Sequence, residues 1–180
     1  EKGYEELCKR DDIDLVYIAT DWLHHFPVAM CAMENGKNVA IEVPSAMNLK
    51  ECWALVDMSE KTRKHCMMLE NCVYDFFEIT TLNMAQQGLF GDITHVKGAY
   101  NHCLHDIWPD YNADWRMQYN MKNRGDVYPT HGIGPVCQLL NIHRGDRLTR
   151  LVAMDSDPVS LPAYLVKHGR AKDTVNFQNG

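Results

Sequence analysis

The residues best suited to catalysis lie in the segment Gly125–Pro135, which reads Gly-Asp-Val-Tyr-Pro-Thr-His-Gly-Ile-Gly-Pro. Its histidine, His131, stands at the predicted start of a helix whose apolar face includes Val136 and Leu139. The positive end of the helix dipole disfavours imidazolium, so the neutral ring that a general base requires is favoured at pH 7. A histidine with a purely structural role is the alternative. Tyr128, three residues upstream, and the flanking Gly and Pro residues favour the base.

A second group of polar and aromatic residues follows three predicted strands, at the point where each strand ends. These segments are Asp21–His25, Glu42–Pro44 and Asn71–Val73. In an open parallel sheet, ligands bind in the crevice outside the carboxyl ends of the strands. Ordinary turns would also carry such residues, but their recurrence at successive strand ends favours a nucleotide site.

The elements that must position these segments alternate between strand and helix in the first part of the chain. Continuous apolar runs predict strands buried on both faces of a parallel sheet. Pro27 in a first turn, Gly36 as a stop and the capping pair Asn48 and Glu51 predict the intervening helices. The predicted strands are Asp14–Thr20, Asn38–Ile41 and Cys66–Glu70, and the predicted helices are Phe26–Asn35 and Asn48–Lys64. This order is the β-α-β-α-β half of a doubly wound α/β domain.

The pattern changes after Tyr74, where strands and helices no longer alternate. The predicted helices there are Asp75–Gln87 and His131–Leu140, the predicted strands are Ile93–Tyr100 and Leu148–Met154, and an irregular stretch runs on to Tyr128. Such an order is typical of an α+β domain, so we divide the chain into residues 1–74 and 75–180. The final residues stop without completing an element, and we expect the chain to be an internal piece of a longer protein.

Composition and charge argue against two classes of partner. A net charge of −6 lacks the basic excess that phosphate contacts require, so we predict no nucleic-acid partner. No apolar run approaches the ~18 residues of a membrane span, so we predict no membrane partner. The seven cysteines form no C-x-x-C pair, and their odd number indicates free thiols rather than a disulfide framework.

Several familiar catalytic and binding motifs are missing from the sequence. It has no G-x-S-x-G serine motif, no separated pair of acids that stands out as a glycosidase dyad, and no G-x-G-x-x-G phosphate loop. The adjacent His24 and His25 diverge, and His102, His105 and Asp106 lie in a predicted loop. We therefore predict no metal site.

The strand-end segments resemble the Gfo/Idh/MocA oxidoreductase superfamily. The resemblance rests on Ile18–Thr20, Trp22–His25 and Glu34–Pro44. Most members carry Glu-Lys-Pro after the second of these strands, with a lysine that assists sugar dehydrogenation. This chain has Glu42-Val43-Pro44 instead, which argues against simple alcohol dehydrogenation. We also predict a cis peptide bond between Val43 and Pro44, because the chain must turn sharply there.

Together with the Tyr100–His102 segment and the Gly125–Val136 block, the Glu-Val-Pro sequence resembles glycoside hydrolase family 109. This resemblance covers nearly the whole chain and is most specific at Tyr-Pro-Thr-His. It implies the C-terminal half of a Rossmann-type sheet, followed by part of an α+β substrate domain. It also implies NAD as cofactor and a glycan with terminal N-acetylgalactosamine as substrate, and it is compatible with a homo-oligomer.

The resemblance further implies a set of site residues. Those matching the family's NAD contacts are Trp22, Leu23, His24, His25, Glu42, Val43, Asn71 and Tyr128. Those matching its sugar contacts are Tyr100, Arg116, Tyr128, Pro129, Thr130 and His131. We interpret His131 as a catalytic base and Tyr128 as its catalytic partner, which orients the sugar or relays a proton.

The family's reaction explains why no carboxylate dyad is needed. Oxidation at C3 of the sugar acidifies the C2 proton, a base removes it, and the C1 group is eliminated. Water then adds, and the hydride returns to C3. Two alternatives stay open, namely an NAD(P)-dependent sugar or inositol dehydrogenase of the same superfamily and a non-catalytic sugar-binding relative.

Overall fold

The computed structural model describes residues 3–103, 115–123, 128–157 and 159–172. Its strands are β1 (Leu15–Ile18), β2 (Asn38–Glu42) and β3 (Cys66–Leu69). Its α-helices are α1 (Gly3–Cys8), α2 (Trp22–Glu34), α3 (Leu49–Thr62), α4 (Phe76–Gln86), α5 (Trp115–Lys122), α6 (Pro129–Leu139) and α7 (Ser160–Lys167), and a 3₁₀ turn spans Cys72–Tyr74. Residues His105, Asp106 and Gly125–Val127, which the sequence interpretation used, lie outside the described ranges.

The three strands form one parallel sheet in the order β1-β2-β3, which confirms the predicted topology. Ile18 pairs with Ile41, and Glu42 pairs with Leu69, so the carboxyl ends of all three strands lie along one edge. The predicted cis peptide bond between Val43 and Pro44 is also present.

The core lies on one face of this sheet. Buried strand residues alternate with exposed ones in β1, where Val16 and Ile18 are buried while Tyr17 is 59% exposed. The prediction of strands buried on both faces is therefore wrong for β1. Two successive right-handed crossovers in the same direction place both connecting helices on the same face. That face buries α2 and α3 residues including Ala29, Ala32, Met33, Leu55 and Met58.

The first crossover helix begins earlier than predicted. Its N-cap is Asp21, whose side chain accepts a hydrogen bond from the Leu23 N–H at 3.0 Å. Pro27 consequently lies inside α2 rather than in its first turn. An aspartate cap satisfies an otherwise unpaired helix N–H, which the proline signal alone did not anticipate.

The predicted capping of α3 is confirmed. The Asn48 side chain accepts from the Glu51 N–H at 3.0 Å, and the Glu51 carboxylate accepts in return from the Met47 N–H at 2.8 Å. This reciprocal pair fixes the start of the helix five residues after Pro44.

The second part of the chain agrees with prediction only for its helices. Helices α4 and α6 lie where expected, whereas the predicted strands Ile93–Tyr100 and Leu148–Met154 carry no strand hydrogen bonding. A strand requires a paired neighbour, and Leu151 and Met154 are 88% and 92% exposed. Helix α5 occupies part of the stretch predicted to be irregular.

Two further findings concern the chain as a whole. All seven cysteines are free, as their odd number predicted. In the described part of the chain, no helix has both the length and the apolar character needed to cross a membrane.

Candidate active site

His25 joins the loops that follow β1 and β2. Its side chain is 1% exposed, with Nδ1 at 2.6 Å from the Pro44 carbonyl oxygen and Nε2 at 3.1 Å from the Thr20 carbonyl oxygen. Both ring nitrogens thus face backbone carbonyls, so no ring nitrogen is left for a ligand. His25 is one of the predicted NAD contacts, and its hydrogen bonds hold the two loops at the strand-end edge in position.

The other strand-end residues divide between inward and outward positions. Leu23 is 68% exposed, and His24 pairs with the Asp21 carboxylate at 2.5 Å on the surface. Trp22, in contrast, is 2% exposed, and Val43 is also buried. The segment Trp22–His25 is therefore buried at its first and last residues and exposed at the two between them.

Two more of the predicted NAD contacts, Glu42 and Asn71, lie at the surface of the same edge. Glu42 ends β2 and accepts a hydrogen bond from the Tyr17 hydroxyl at 3.0 Å, and this bond raises the pKa of Tyr17. Asn71 is exposed and precedes the 3₁₀ turn.

An aromatic cluster connects the end of β1 with the second part of the chain. The Trp22 ring lies edge-on to Trp115, Tyr119 and Tyr128, at centroid distances of 4.8, 5.2 and 5.3 Å. The Arg116 guanidinium lies 4.2 Å from the centroid of the Trp115 ring, and its Nε donates to the Tyr128 hydroxyl at 3.2 Å. Helix α5, which the sequence did not predict, supplies three members of this group.

His131 lies next to this cluster, in the first turn of α6. Its ring stacks on Tyr128 at 5.1 Å with an interplanar angle of 21°, and it lies 4.5 Å from the Tyr100 ring. Tyr100 and Tyr128 are themselves 5.8 Å apart. The structure thus brings together both predicted catalytic residues with Tyr100 and, through Tyr128, with Arg116.

Glu70 is a site residue that the sequence interpretation missed. Its Oε1 lies 2.6 Å from Nδ1 of His131, and the two side chains are 9% and 7% exposed. The same oxygen accepts from the Cys72 N–H at 2.8 Å. Glu70 directly follows β3, so the strand-end rule could have identified it. The predicted segment, however, began one residue later, at Asn71.

Glu70, Cys72 and His131 also form a cluster of metal-ligand type, with ligand atoms within 4.8 Å of one another. Two donors on one tetrahedral zinc, each bonded at ~2.0–2.1 Å, lie roughly 3.3 Å apart. The 2.6 Å between His131 and Glu70 is a hydrogen-bond distance instead. Burial and the Glu70 charge also raise the pKa of the Cys72 thiol, which disfavours the thiolate that a metal would need.

The first residues of α6 line three different cavities, and His131 borders the one of about 310 Å³. Pro129 and Tyr100 line a cavity of about 980 Å³ that also borders Leu151–Asp155. Thr130 and Glu70 line a smaller cavity of about 260 Å³. Thr130 Oγ1 and Glu70 Oε2 are buried without a hydrogen-bond partner among the described residues. Thr130 is thus separated from the other predicted sugar contacts by the turn of the helix.

Known protein families match both parts of the chain. The family model described as "Glycosyl hydrolase 109, C-terminal domain" matches residues 74–180. The chain belongs to glycosyl hydrolase family 109. A second model, the Gfo/Idh/MocA "Oxidoreductase family, NAD-binding Rossmann fold", matches residues 2–70 of this family 109 chain. Both resemblances seen in the sequence are confirmed.

Individual relatives agree with this assignment. The chain is 64% identical over 180 residues to "Glycosyl hydrolase family 109 protein 1" of Bacteroides thetaiotaomicron, covering all of this chain and 38% of that protein. It is 64% identical over 187 residues to "Glycosyl hydrolase family 109 protein 5" of Phocaeicola vulgatus, covering 36% of it. The family 109 chain therefore spans less than two fifths of these relatives.

A solved structure supports the fold. A candidate oxidoreductase from Bacteroides fragilis superposes with a TM-score of 0.56 at 22% identity, over 77% of this chain and 38% of that one. The family 109 chain thus shares the fold of this protein.

The strand-end edge of this family 109 chain fits part of a dinucleotide. Leu23 and Asn71 are exposed at or beside the edge, Trp22 and Val43 are buried there, and His25 ties the first two loops together. The Gly-rich turn that would meet the pyrophosphate has no counterpart in the sequence. The residues present therefore suit the part of NAD that lies over the strand ends.

Proposed function

We propose that this family 109 chain serves an NAD-dependent glycosidase that hydrolyses α-N-acetylgalactosaminides, with His131 as a base. The observation that carries the proposal is the double contact of Tyr128. Its ring lies 5.3 Å from Trp22 at the cofactor edge and 5.1 Å from His131. Oxidation at C3 and proton removal at C2 act on adjacent carbons, so the hydride acceptor and the base must be neighbours. The position of Tyr128 supports that arrangement.

NAD would supply the hydride acceptor for C3 and return the hydride at the end of the cycle. Its holding residues in this proposal are Trp22, Leu23, His24, His25, Glu42, Val43, Asn71 and Tyr128. Leu23, Glu42 and Asn71 are exposed and would contribute surface, Trp22 and Val43 would support them from buried positions, and His25 fixes the loops. The division into domains 1–74 and 75–180 is part of the proposal, and the two family matches, which meet between residues 70 and 74, support it.

The chain's own residues would transfer protons to and from the sugar and would hold it by hydrogen bonds. His131 takes the C2 proton once the C3 ketone has made it acidic. Tyr128 orients the sugar or relays that proton. Arg116 and Tyr100 hold hydroxyl or acetamido groups, Pro129 shapes the wall beside Tyr100, and Thr130 would contribute from the neighbouring cavity that it lines with Glu70. The substrate is a glycan with terminal N-acetylgalactosamine.

A second candidate function is that of an NAD(P)-dependent sugar dehydrogenase. The match of residues 2–70 to an NAD-binding oxidoreductase family favours it. Val43, which stands where most superfamily members have a lysine, argues against it. The two functions differ in cofactor balance. A glycosidase releases the aglycone without net NADH, whereas a dehydrogenase accumulates NADH.

The test is an assay of the full-length protein on p-nitrophenyl α-N-acetylgalactosaminide, with nitrophenol and NADH followed together. His131→Ala should lower kcat by roughly 10²–10⁴, because proton abstraction loses its base. His65→Ala, at an exposed histidine, is the matched control and should retain activity. Thermal unfolding of both variants separates loss of chemistry from loss of fold. Unchanged turnover in His131→Ala would remove the base from the mechanism.

A further inference from the structure

The hydrogen bond between Glu70 and His131 is buried at both ends. It joins residues 61 positions apart at a distance of 2.6 Å. We propose that Glu70 is a positioning residue that fixes the tautomer of His131, holding the proton on Nδ1 and leaving Nε2 as the basic atom. This inference rests on the proposed function, because it assigns a role to Glu70 in that same site.

The backbone N–H of Cys72 indicates which of the two side chains, Glu70 or His131, carries the proton of their hydrogen bond. Oε1 of Glu70 also accepts from the Cys72 N–H at 2.8 Å, and a backbone N–H can only donate. The carboxylate is therefore the acceptor, and the imidazole supplies the N–H from Nδ1.

Steric constraints keep the imidazole in this orientation. Tyr128 stacks on the ring with an interplanar angle of 21°, and Tyr100 lies 4.5 Å away. With Nδ1 held by Glu70, Nε2 is the one ring nitrogen that can reach a substrate proton. In this arrangement the carboxylate of Glu70 holds Nδ1, while Nε2 acts as the base. The same carboxylate stabilises the imidazolium that forms on proton transfer.

The second carboxylate oxygen has room for hydration. Oε2 of Glu70 and Oγ1 of Thr130 are buried and have no hydrogen-bond partner in the part of the chain that the structure describes, and both residues line the cavity of about 260 Å³. A polar cavity of that size accommodates ordered water. Hydration there would stabilise the charge of Glu70 in an otherwise buried position.

The direct test is ¹⁵N NMR of the full-length protein labelled at histidine, with the His131 signals assigned from their loss in His131→Gln. We expect a protonated Nδ1 and an unprotonated Nε2 in the neutral ring. The opposite tautomer would overturn the proposal. This measurement needs no turnover. If the protein fails to cleave glycosides, the proposed function fails, while the NMR result still decides the role of Glu70.

A variant tests whether the charge matters for catalysis. Glu70→Gln keeps the size of the side chain and an oxygen for the Cys72 N–H, but it removes the negative charge opposite the imidazolium. We expect kcat to fall by about 10²–10⁴, with KM changing by less than about threefold. Glu60→Gln, at an exposed position on α3, is the matched control. An unchanged kcat in a folded Glu70→Gln protein would overturn the proposal. If that variant does not fold, the NMR of the wild-type protein decides.

Discussion

Tyr128 is the residue on which the two halves of the site converge. It contacts Trp22 and His131 with its ring and accepts from Arg116 with its hydroxyl. Tyr128→Phe keeps both ring contacts and removes only the hydroxyl. We expect a smaller loss of kcat than in His131→Ala if the hydroxyl orients the sugar, with stability lowered by about 0.5–1.5 kcal/mol. The measurement is kcat on the same glycoside. A loss equal to or larger than that of His131→Ala would show that the hydroxyl relays a proton.

The environment of Cys72 gives a chemical probe of the Glu70 charge. Burial raises the pKa of this thiol, and the negative charge of Glu70 raises it further. Since the thiolate is the reactive form, a raised pKa slows alkylation at pH 8. We expect Cys72 to react with iodoacetamide more slowly than the exposed Cys52, and to react faster in Glu70→Gln. Mass spectrometry of timed samples measures both rates. Equal rates at the two cysteines would contradict this expectation.

Tyr128 and His131 were recognised from the sequence, whereas Glu70 was missed. Its place directly after β3 could have marked it, but its partner could not be inferred. Tyr128 and His131 belong to one short block, so their spacing and the helix start could be recognised locally. Glu70 acts through a partner 61 positions away, and nothing in its own neighbourhood indicates that contact.

At the level of elements, the close approach of residues 98 and 132 holds α6 in place. A Cβ added at Gly98 would overlap the carbonyl oxygen of Gly132, which is backbone and cannot rotate aside. Gly98→Ala should therefore lower the free energy of unfolding by about 1–3 kcal/mol and displace His131. Gly132→Ala is the matched control, because its nearest neighbours lie at 3.9 Å. Urea denaturation compares the two variants. Equal stability would show that the backbone gives way without cost.

The success of the element predictions depended on how local their signals were. The sheet and its crossover helices followed from periodic apolar runs and from caps such as Asn48. The predictions of strands at Ile93–Tyr100 and Leu148–Met154 were wrong, because a strand forms only beside a neighbouring strand. A run of apolar residues does not specify that neighbour. The start of α2 was misplaced because Asp21 capped the helix ahead of Pro27.

At the scale of the whole molecule, the sheet has one face covered and one open. Leu15, Tyr17 and Met67 are 55%, 59% and 52% exposed, whereas Val39 and Ile41 lie under helices. This follows from two crossovers of the same hand and direction, which place no connecting helix of the described chain on the opposite face. The chain spans 38% of the Bacteroides thetaiotaomicron relative, so the described elements are a part of what that relative contains.

A further prediction for the molecule as a whole concerns the affinity of these 180 residues alone for NAD. A Rossmann-type site draws much of its affinity from a Gly-rich turn and the helix N-terminus that meets the pyrophosphate. The sequence contains no such turn, although the strand-end edge has surface for the rest of the cofactor. We therefore expect the 180-residue chain to bind NAD weakly or not at all by isothermal titration calorimetry, with the full-length protein as the positive control. Micromolar affinity of the 180-residue chain would mean that the strand-end loops hold the cofactor without a glycine-rich phosphate loop.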